Sequence, residues 1–456
     1  MNTDNRENFG SRFAVIMAMA GSAIGLGNIW RFPYIVGEMG GGAFVLIYVI
    51  ATLLISAPLF ITEAIIGRRS KLSAANAMYA LSKRKKFWRG VGLVLVFCPL
   101  IILSYYSVVG GWAVDFLVKS LNFTFSSETP DNVSTLFGGL ISSTWRPIIA
   151  HLVFMGITAL VVSGGVNSGI ERFNKITVPV LFVMIIGIMV YSLFLPGSDA
   201  GVSYLLKFDL ASLTPKTFAY ALGQSFYSLS LGMGTIITYG SYIRKQENLL
   251  TSGITVALSD LSFAILAAFA IMPAVFAAGL EPGAGPGLIF QTIPYIFSTM
   301  STELPVISDI IAIVFFLAIF VAALTSSVSL MEVGAAYIVE NTGMSRKKAT
   351  TILFVILGTI GTLCSLSFGP LADFQIGGKG LFDLLDWFSS NVMLILASLL
   401  ATVFAGWFMR RESFTDEFSS GGKYSFNKKI GPALHVIIKY VAPLAIFAIF
   451  ITNFIL

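Results

Sequence analysis

Apolar positions along this chain form long runs rather than the alternating or one-faced patterns of a soluble fold. A bilayer crossing needs about 20 such residues. The runs divide into eleven spans, at 13–37, 42–67, 88–117, 145–163, 174–195, 215–241, 251–279, 306–339, 348–368, 381–409 and 431–455. The segments between them are mostly short and polar. Residues 281–300, EPGAGPGLIFQTIPYIFSTM, are too broken by Gly and Pro to span and read as an external re-entrant or capping element. Two spans are interrupted in mid-course. GSAIGLGNIWRFP, residues 21–33, places three glycines, an asparagine, an arginine and a proline in span 1, and SLSLGMG, residues 228–234, breaks span 6.

Composition sharpens this picture. The 456 residues are 56% hydrophobic and 11% charged, with a mean hydropathy of +0.85. Soluble domains run near a quarter charged, so the chain is an all-α, multi-pass integral membrane protein forming a single domain over 1–456. Its net charge of +6 does not mark a nucleic-acid binder, because the basic residues gather at span edges. They report orientation instead. The loop between spans 2 and 3 holds Arg68, Arg69, Lys71, Lys83, Arg84, Lys85, Lys86 and Arg89 with no acid. Arg244, Lys245, Arg346, Lys347, Lys348, Arg410, Arg411, Lys423, Lys428 and Lys429 lie on the same side. The opposite loops carry few cations: Lys119, Lys207, Lys216 and Lys379. The N-terminus is therefore expected in the cytoplasm and Leu456 outside, in the inner membrane of a bacterium. The polar start runs straight into span 1, with no separate signal peptide expected. Cys98 and Cys364 both fall inside spans and suggest neither a disulfide nor a metal site. His151 and His435 sit beside no nucleophile or metal-ligand motif, so an enzyme is not indicated.

The two breaks fall in the first helices of two five-span halves, 13–195 and 215–409, with span 11 (431–455) outside them. An odd-numbered half turns the second copy upside down. Glycine-interrupted segments at matching places in inverted halves point to a transport site, since broken backbone at membrane depth is tolerated only where it is buried or lines a cavity. The freed N–H groups suit a carboxylate and the freed carbonyls a small hard cation. Close packing of small residues is the other account of a single such break; two in register favour the binding site.

AMAGSAIGLGNIWRFPYIVGEMGGGAF resembles the first-helix signature of the neurotransmitter:sodium symporters, GQSFYSLSLGMGTIITYGSYIRK their helix 6, and ALTSSVSLMEV their helix 8. The resemblance runs along nearly the whole chain. With eleven spans where the family usually has twelve, the chain is most similar to the bacterial branch that carries hydrophobic and aromatic amino acids. It implies the 5+5 inverted-repeat, leucine-transporter-type fold with broken helices 1 and 6.

The resemblance further implies two sodium sites. The first uses the Ala23 carbonyl, Asn28, Ser228 and Asp260, completed by the substrate carboxylate. The second uses carbonyls of Gly21, Ile24 and Ala322 and the hydroxyls of Thr325 and Ser326. Read without the family, Thr325 and Ser326 serve equally well as interhelical hydrogen bonders. Asp260, alone in VALSDLSFAIL, stands out by itself, because an intramembrane acid is costly and a functional candidate by default. The family usually has Asn here, and its chloride-dependent members add an anion nearby. This chain supplies its own charge, so no chloride is expected and Asp260 is expected to exchange a proton on the return step. A protonated, purely structural acid is the other reading. The implied substrate pocket comprises Ser22, Ala23, Gly25, Leu26, Gly27, Ile102, Tyr106, Tyr227, Ser228, Ser230, Met233, Ser326 and Leu330. Monoamine carriers place an Asp where Gly25 stands, so an amino acid rather than an amine is expected.

Arg31 and Asp386 resemble the family's outer ion pair, and Arg6, Ser241, Tyr242 and Glu340 its inner gate, with Glu340 in place of the usual Asp. Gly169 and Pro179 in GIERFNKITVP mark a helix-5 segment that can unwind to release the second sodium; a loop glycine and a mild proline kink fit the spacing equally well. The expectation is a sodium-coupled symporter for a hydrophobic or aromatic L-amino acid, working by alternating access. An amino-acid-binding membrane receptor is the alternative, and a homodimer is left open.

Overall fold

The computed structural model describes residues 7–209, 211, 213–280, 287–302 and 304–455. Among them, nine continuous helices are long and apolar enough to cross a bilayer. In chain order around two broken ones they are α2 (Gly42–Ser70), α3 (Lys86–Leu121), α4 (Trp145–Ser163), α5 (Val166–Leu193), α7 (Leu249–Ala277), α8 (Pro305–Thr342), α9 (Arg346–Leu366), α10 (Leu381–Phe408) and α11 (Ser425–Thr452). α1 is a bent pair, Arg12–Ala23 and Gly27–Glu38, inclined at 52°. α6 is split into Pro215–Ser228 and Thr235–Gly240. Ten of the eleven expected spans are thus met by length and apolarity. α6 is too broken and too polar for that test, and owes its place to the bundle: its second half is buried throughout. α5 starts eight residues before the expected 174, because a π turn at Val166–Glu171 extends it.

The outer faces of the bundle keep large apolar side chains exposed, among them Leu160, Val183 and Val355. Such a band is the surface that lipid covers. At one end, rings from Trp112, Phe116, Phe137, Phe290, Phe316 and Phe382 pack edge-to-face or stacked. Phe290 belongs to a short two-part helix, Leu288–Thr292 and Ile293–Ser301, so this part of the expected capping element lies over α3 and α8; residues 281–286 are outside the described residues. The other end carries the basic loops. There Arg68 of α2 is buried and bonds to the carboxylate of Glu417 at 2.6 Å and to the Glu247 carbonyl at 2.7 Å.

α1 and α6 lie side by side at the centre with their breaks facing. Gln224 donates to the Gly27 carbonyl at 3.0 Å, and the Ser230 hydroxyl to the Ser22 carbonyl at 2.9 Å. Side chains thereby take over backbone groups that the interrupted helices leave without partners. The α6 break turns through Ser230, Gly232 and Gly234, all at positive φ. Gly232 also leaves no room for a Cβ, which would approach the Leu394 carbonyl to 2.7 Å. A side chain there would be strained twice over.

Candidate binding site between the broken helices

All thirteen residues expected in the substrate pocket line one central cavity, joined by Ser329, which the sequence did not single out. Its volume is about 30 Å³, room for about one water. A larger guest enters only by moving the walls, and Met233 has the rotatable bonds to yield. Gly25 is needed for space: a Cβ would lie 2.2 Å from the Ser326 hydroxyl. The Tyr106 hydroxyl is buried beside Ser326 and the Leu26 backbone and makes no well-formed hydrogen bond among the described residues. Buried hydroxyls normally make a good hydrogen bond, so this one is poised to make one to a polar group in the cavity.

Beside the cavity, Asp260 of α7 is fully buried. Its Oδ1 accepts from the Ser228 hydroxyl at 2.8 Å and from Asn28 Nδ2 at 2.7 Å, and Oδ2 lies 2.9 Å from the same Ser228 hydroxyl. Asn28 Oδ1 accepts from the Gly25 N–H at 3.0 Å. Asn28, Ser228 and Asp260, three of the four expected first sodium ligands, are therefore clustered, with one difference. Asn28 turns its amide nitrogen, not its oxygen, toward the cluster, because a carboxylate draws donors.

Of the second expected set, Thr325, Ile24 and Ala322 are brought together. Thr325 Oγ1 donates to the carbonyls of Ile24 at 3.1 Å and Ala322 at 2.9 Å, and Ser326 borders Gly25. Gly21 packs so closely on α5 that a Cβ would meet Asn174 Oδ1 at 1.9 Å. Gly169 and Pro179 lie in wound helix: the π turn holds Gly169, and Pro179 sits inside the α-helical part of α5.

Above the cavity opens a vestibule of about 340 Å³ that shares Leu26, Gly27, Tyr106 and Tyr227 with it. Arg31 and Asp386 both line the vestibule. The expected direct pair is not formed; the Arg31 guanidinium lies over the Tyr227 ring at 4.6 Å instead, where a cation gains from the π face without a carboxylate.

The opposite, basic end is closed. Phe9 is buried edge-on between Tyr239 and Tyr242, each 5.9 Å away. Arg6 lies outside the described residues. Ser241 donates to the Thr238 carbonyl at 2.5 Å, and Glu340 accepts from the Ser73 N–H and Asn76 Nδ2, both at 2.7 Å. Tyr242 donates to Glu332 at 2.6 Å, which also takes Arg346 in a two-pronged ion pair at 2.5 and 3.0 Å. Glu332 was missed, as was Glu63 of α2, fully buried and accepting the Gly232 N–H at 2.8 Å in the α6 break. Each is a lone acid in an apolar run, the same signal that singles out Asp260.

The family model of the sodium:neurotransmitter symporter family matches residues 6–135 and 137–456. The chain belongs to that family. Among its relatives, the uncharacterized sodium-dependent transporter YhdH of Bacillus subtilis is 36% identical over 97% of this chain and 96% of its own length. An uncharacterized sodium-dependent transporter of Haemophilus influenzae is 35% identical over 99% of both chains. The crystal structure of MhsT in complex with L-phenylalanine superimposes with a TM-score of 0.88 at 38% identity, over 99% of this symporter and 100% of that chain. The molecule is therefore a multi-pass, sodium-dependent membrane transporter with the leucine-transporter-type fold, and not an enzyme.

Proposed function

We propose that this symporter imports a hydrophobic or aromatic L-amino acid together with sodium, by alternating access across a bacterial inner membrane. The observation that carries the reading is the buried Asp260 carboxylate, held by Asn28 and Ser228 where the α1 break meets the cavity. A sodium ion there replaces the donors that Asp260 now draws, with Asn28 rotated to present its oxygen. The backbone of Gly25–Gly27 and the Tyr106 hydroxyl suit the substrate carboxylate, which then touches the same ion. The Thr325 and Ser326 hydroxyls, with the carbonyls of Gly21, Ile24 and Ala322, suit a second ion, since neutral oxygens fit a hard monovalent cation. The complex of MhsT with L-phenylalanine supports an amino-acid substrate.

In this reading the vestibule faces outward and the basic end the cytoplasm. Arg31 and Asp386 close over a bound substrate, Glu332 and Arg346 part with the inner gate, and the α5 turn at Gly169 unwinds toward Pro179 to free the second ion. Asp260 offsets part of the +2 charge of two sodium ions without chloride. Once its sodium leaves, a cytoplasmic proton takes its place on the return step. Proteoliposome uptake of labelled L-phenylalanine tests this. An inward sodium gradient is expected to drive accumulation, unchanged when gluconate replaces chloride. Equal uptake in choline overturns sodium coupling, and collapse without chloride overturns the role of Asp260.

A further inference from the structure

Several cations at the basic end find protein partners. Arg68 pairs with Glu417, Arg69 donates to the Ser413 carbonyl, Lys71 to the Ile243 carbonyl, and Arg346 pairs with Glu332. Lys85, at the cap of α3, Arg89, one turn into it, and Lys439 of α11 differ. Among the described residues none of the three forms an ion pair with a carboxylate, and each lies over an aromatic ring instead. The Lys85 ammonium is 5.6 Å from the centre of the Phe408 ring, that of Lys439 is 4.4 Å from Trp407 and 5.3 Å from Tyr440, and the Arg89 guanidinium is 5.8 Å from Tyr79.

Lys85 and Lys439 share one cleft. Trp407 and Phe408 end α10, so the two lysines approach the same turn of it from α3 and α11. Trp88 wedges α3 against α10, edge-on to Phe404 at 4.8 Å and to Phe408 at 4.6 Å. Gly406 lets α11 close in, since a Cβ there would lie 2.6 Å from the Lys439 Cα. The segments that build the cleft, residues 64–114, 387–411 and 418–456, contain no Asp or Glu. Around the cations Phe87, Trp407, Phe408 and Tyr440 are exposed, and farther along the helices so are Phe97 of α3 and Leu444 of α11. Trp and Tyr gather at headgroup depth, which puts the cations level with lipid phosphates.

We propose that this cleft binds an anionic phospholipid, its headgroup phosphate between Lys85 and Lys439 with Arg89 one turn along, and its acyl chains on the exposed apolar faces of α3 and α11. An ammonium on a ring face keeps its outward N–H groups for an acceptor. Basic pockets between membrane helices suit such headgroups. A zwitterionic headgroup is the poorer fit, because it brings an ammonium of its own to a cleft whose cations have no carboxylate to neutralise them. A soluble anion is poorer too, since it leaves the exposed rings without an apolar partner.

The test is lipid add-back to delipidated, purified symporter, with bound lipid counted by native mass spectrometry. Phosphatidylglycerol is expected to be retained about tenfold more strongly than phosphatidylcholine of the same acyl chains. Neither glycerol phosphate nor inorganic phosphate should displace it. This wild-type comparison needs no variant to fold. In the Lys85→Gln/Lys439→Gln double variant the preference should fall to about twofold or less, whereas Lys85→Arg/Lys439→Arg keeps both charges and should retain it. Equal retention of the two lipids by wild type, or a preference that survives in the glutamine variant, overturns the site. Displacement by glycerol phosphate or inorganic phosphate assigns the cations to a soluble anion and overturns the lipid.

Discussion

At the scale of single residues, the chemistry concentrates in a few buried polar groups in an otherwise apolar medium. Asp260 is the sharpest case, because its carboxylate is held by the neutral side chains of Asn28 and Ser228, with the Tyr48 hydroxyl beside it, and by no cation among the described residues. Such a charge is costly unless paired, and a sodium ligand role supplies the pairing. Asp260→Asn is expected to weaken sodium binding by about tenfold or more. It is also expected to make uptake rise when chloride is added, read by flux in chloride against gluconate. An Asn variant with wild-type sodium affinity and no chloride response would remove the charge argument. Amino-acid and sodium affinities must move together in any variant of the shared site, since coupling is reciprocal. Asp260 was legible in the sequence as a lone acid in an apolar run. Glu63 and Glu332 carry the same mark, each a lone acid in an apolar run.

At the scale of elements, the breaks in α1 and α6 are held open by specific caps. The Glu63 carboxylate takes the Gly232 N–H, a donor that the interrupted helix leaves without a partner. Glu63→Ala removes that cap and is expected to cost about 1–3 kcal/mol. The measurement is a lowered melting temperature in detergent together with weaker amino-acid binding, because the same turn carries Ser230 and Met233. Glu63→Gln keeps an acceptor oxygen and is expected to fall between the two. If Glu63→Ala melts and binds like wild type, the cap is not what shapes the break. The break positions were visible in the glycine pattern; the cap was not, since it comes from α2, some 170 positions away in the chain.

At the scale of the whole molecule, one end is open and the other sealed. The vestibule reaches down to Tyr106 and Tyr227, while Phe9, Tyr242, Glu332 and Arg346 knit the basic end together. The N-terminal segment is part of that seal: Glu7 accepts the Val166 N–H at 2.7 Å and Glu171 the Gly10 N–H at 2.9 Å. Segments 7–12 and 166–172 should therefore open together. Hydrogen exchange is expected to be slow in both when sodium holds this arrangement, and to rise in both when potassium replaces it. Exchange that rises in one segment alone would separate the N-terminal seal from the α5 turn.

The sequence by itself determined the membrane class, the span positions, the two breaks and the side-chain types of the site. These follow from apolar run length, glycine placement and the rarity of acids in lipid, all of which are local properties. Tertiary structure alone decided which groups meet. It showed Arg31 resting on Tyr227 rather than paired with Asp386, Tyr242 drawn to Glu332 and Arg346, and Ser22 and Ser329 joined beneath the cavity. Those contacts depend on how far each helix is rotated and bent in the bundle, and rotation is set by packing against neighbours. A hydroxyl's partner, unlike its presence, is therefore not written in its own stretch of chain.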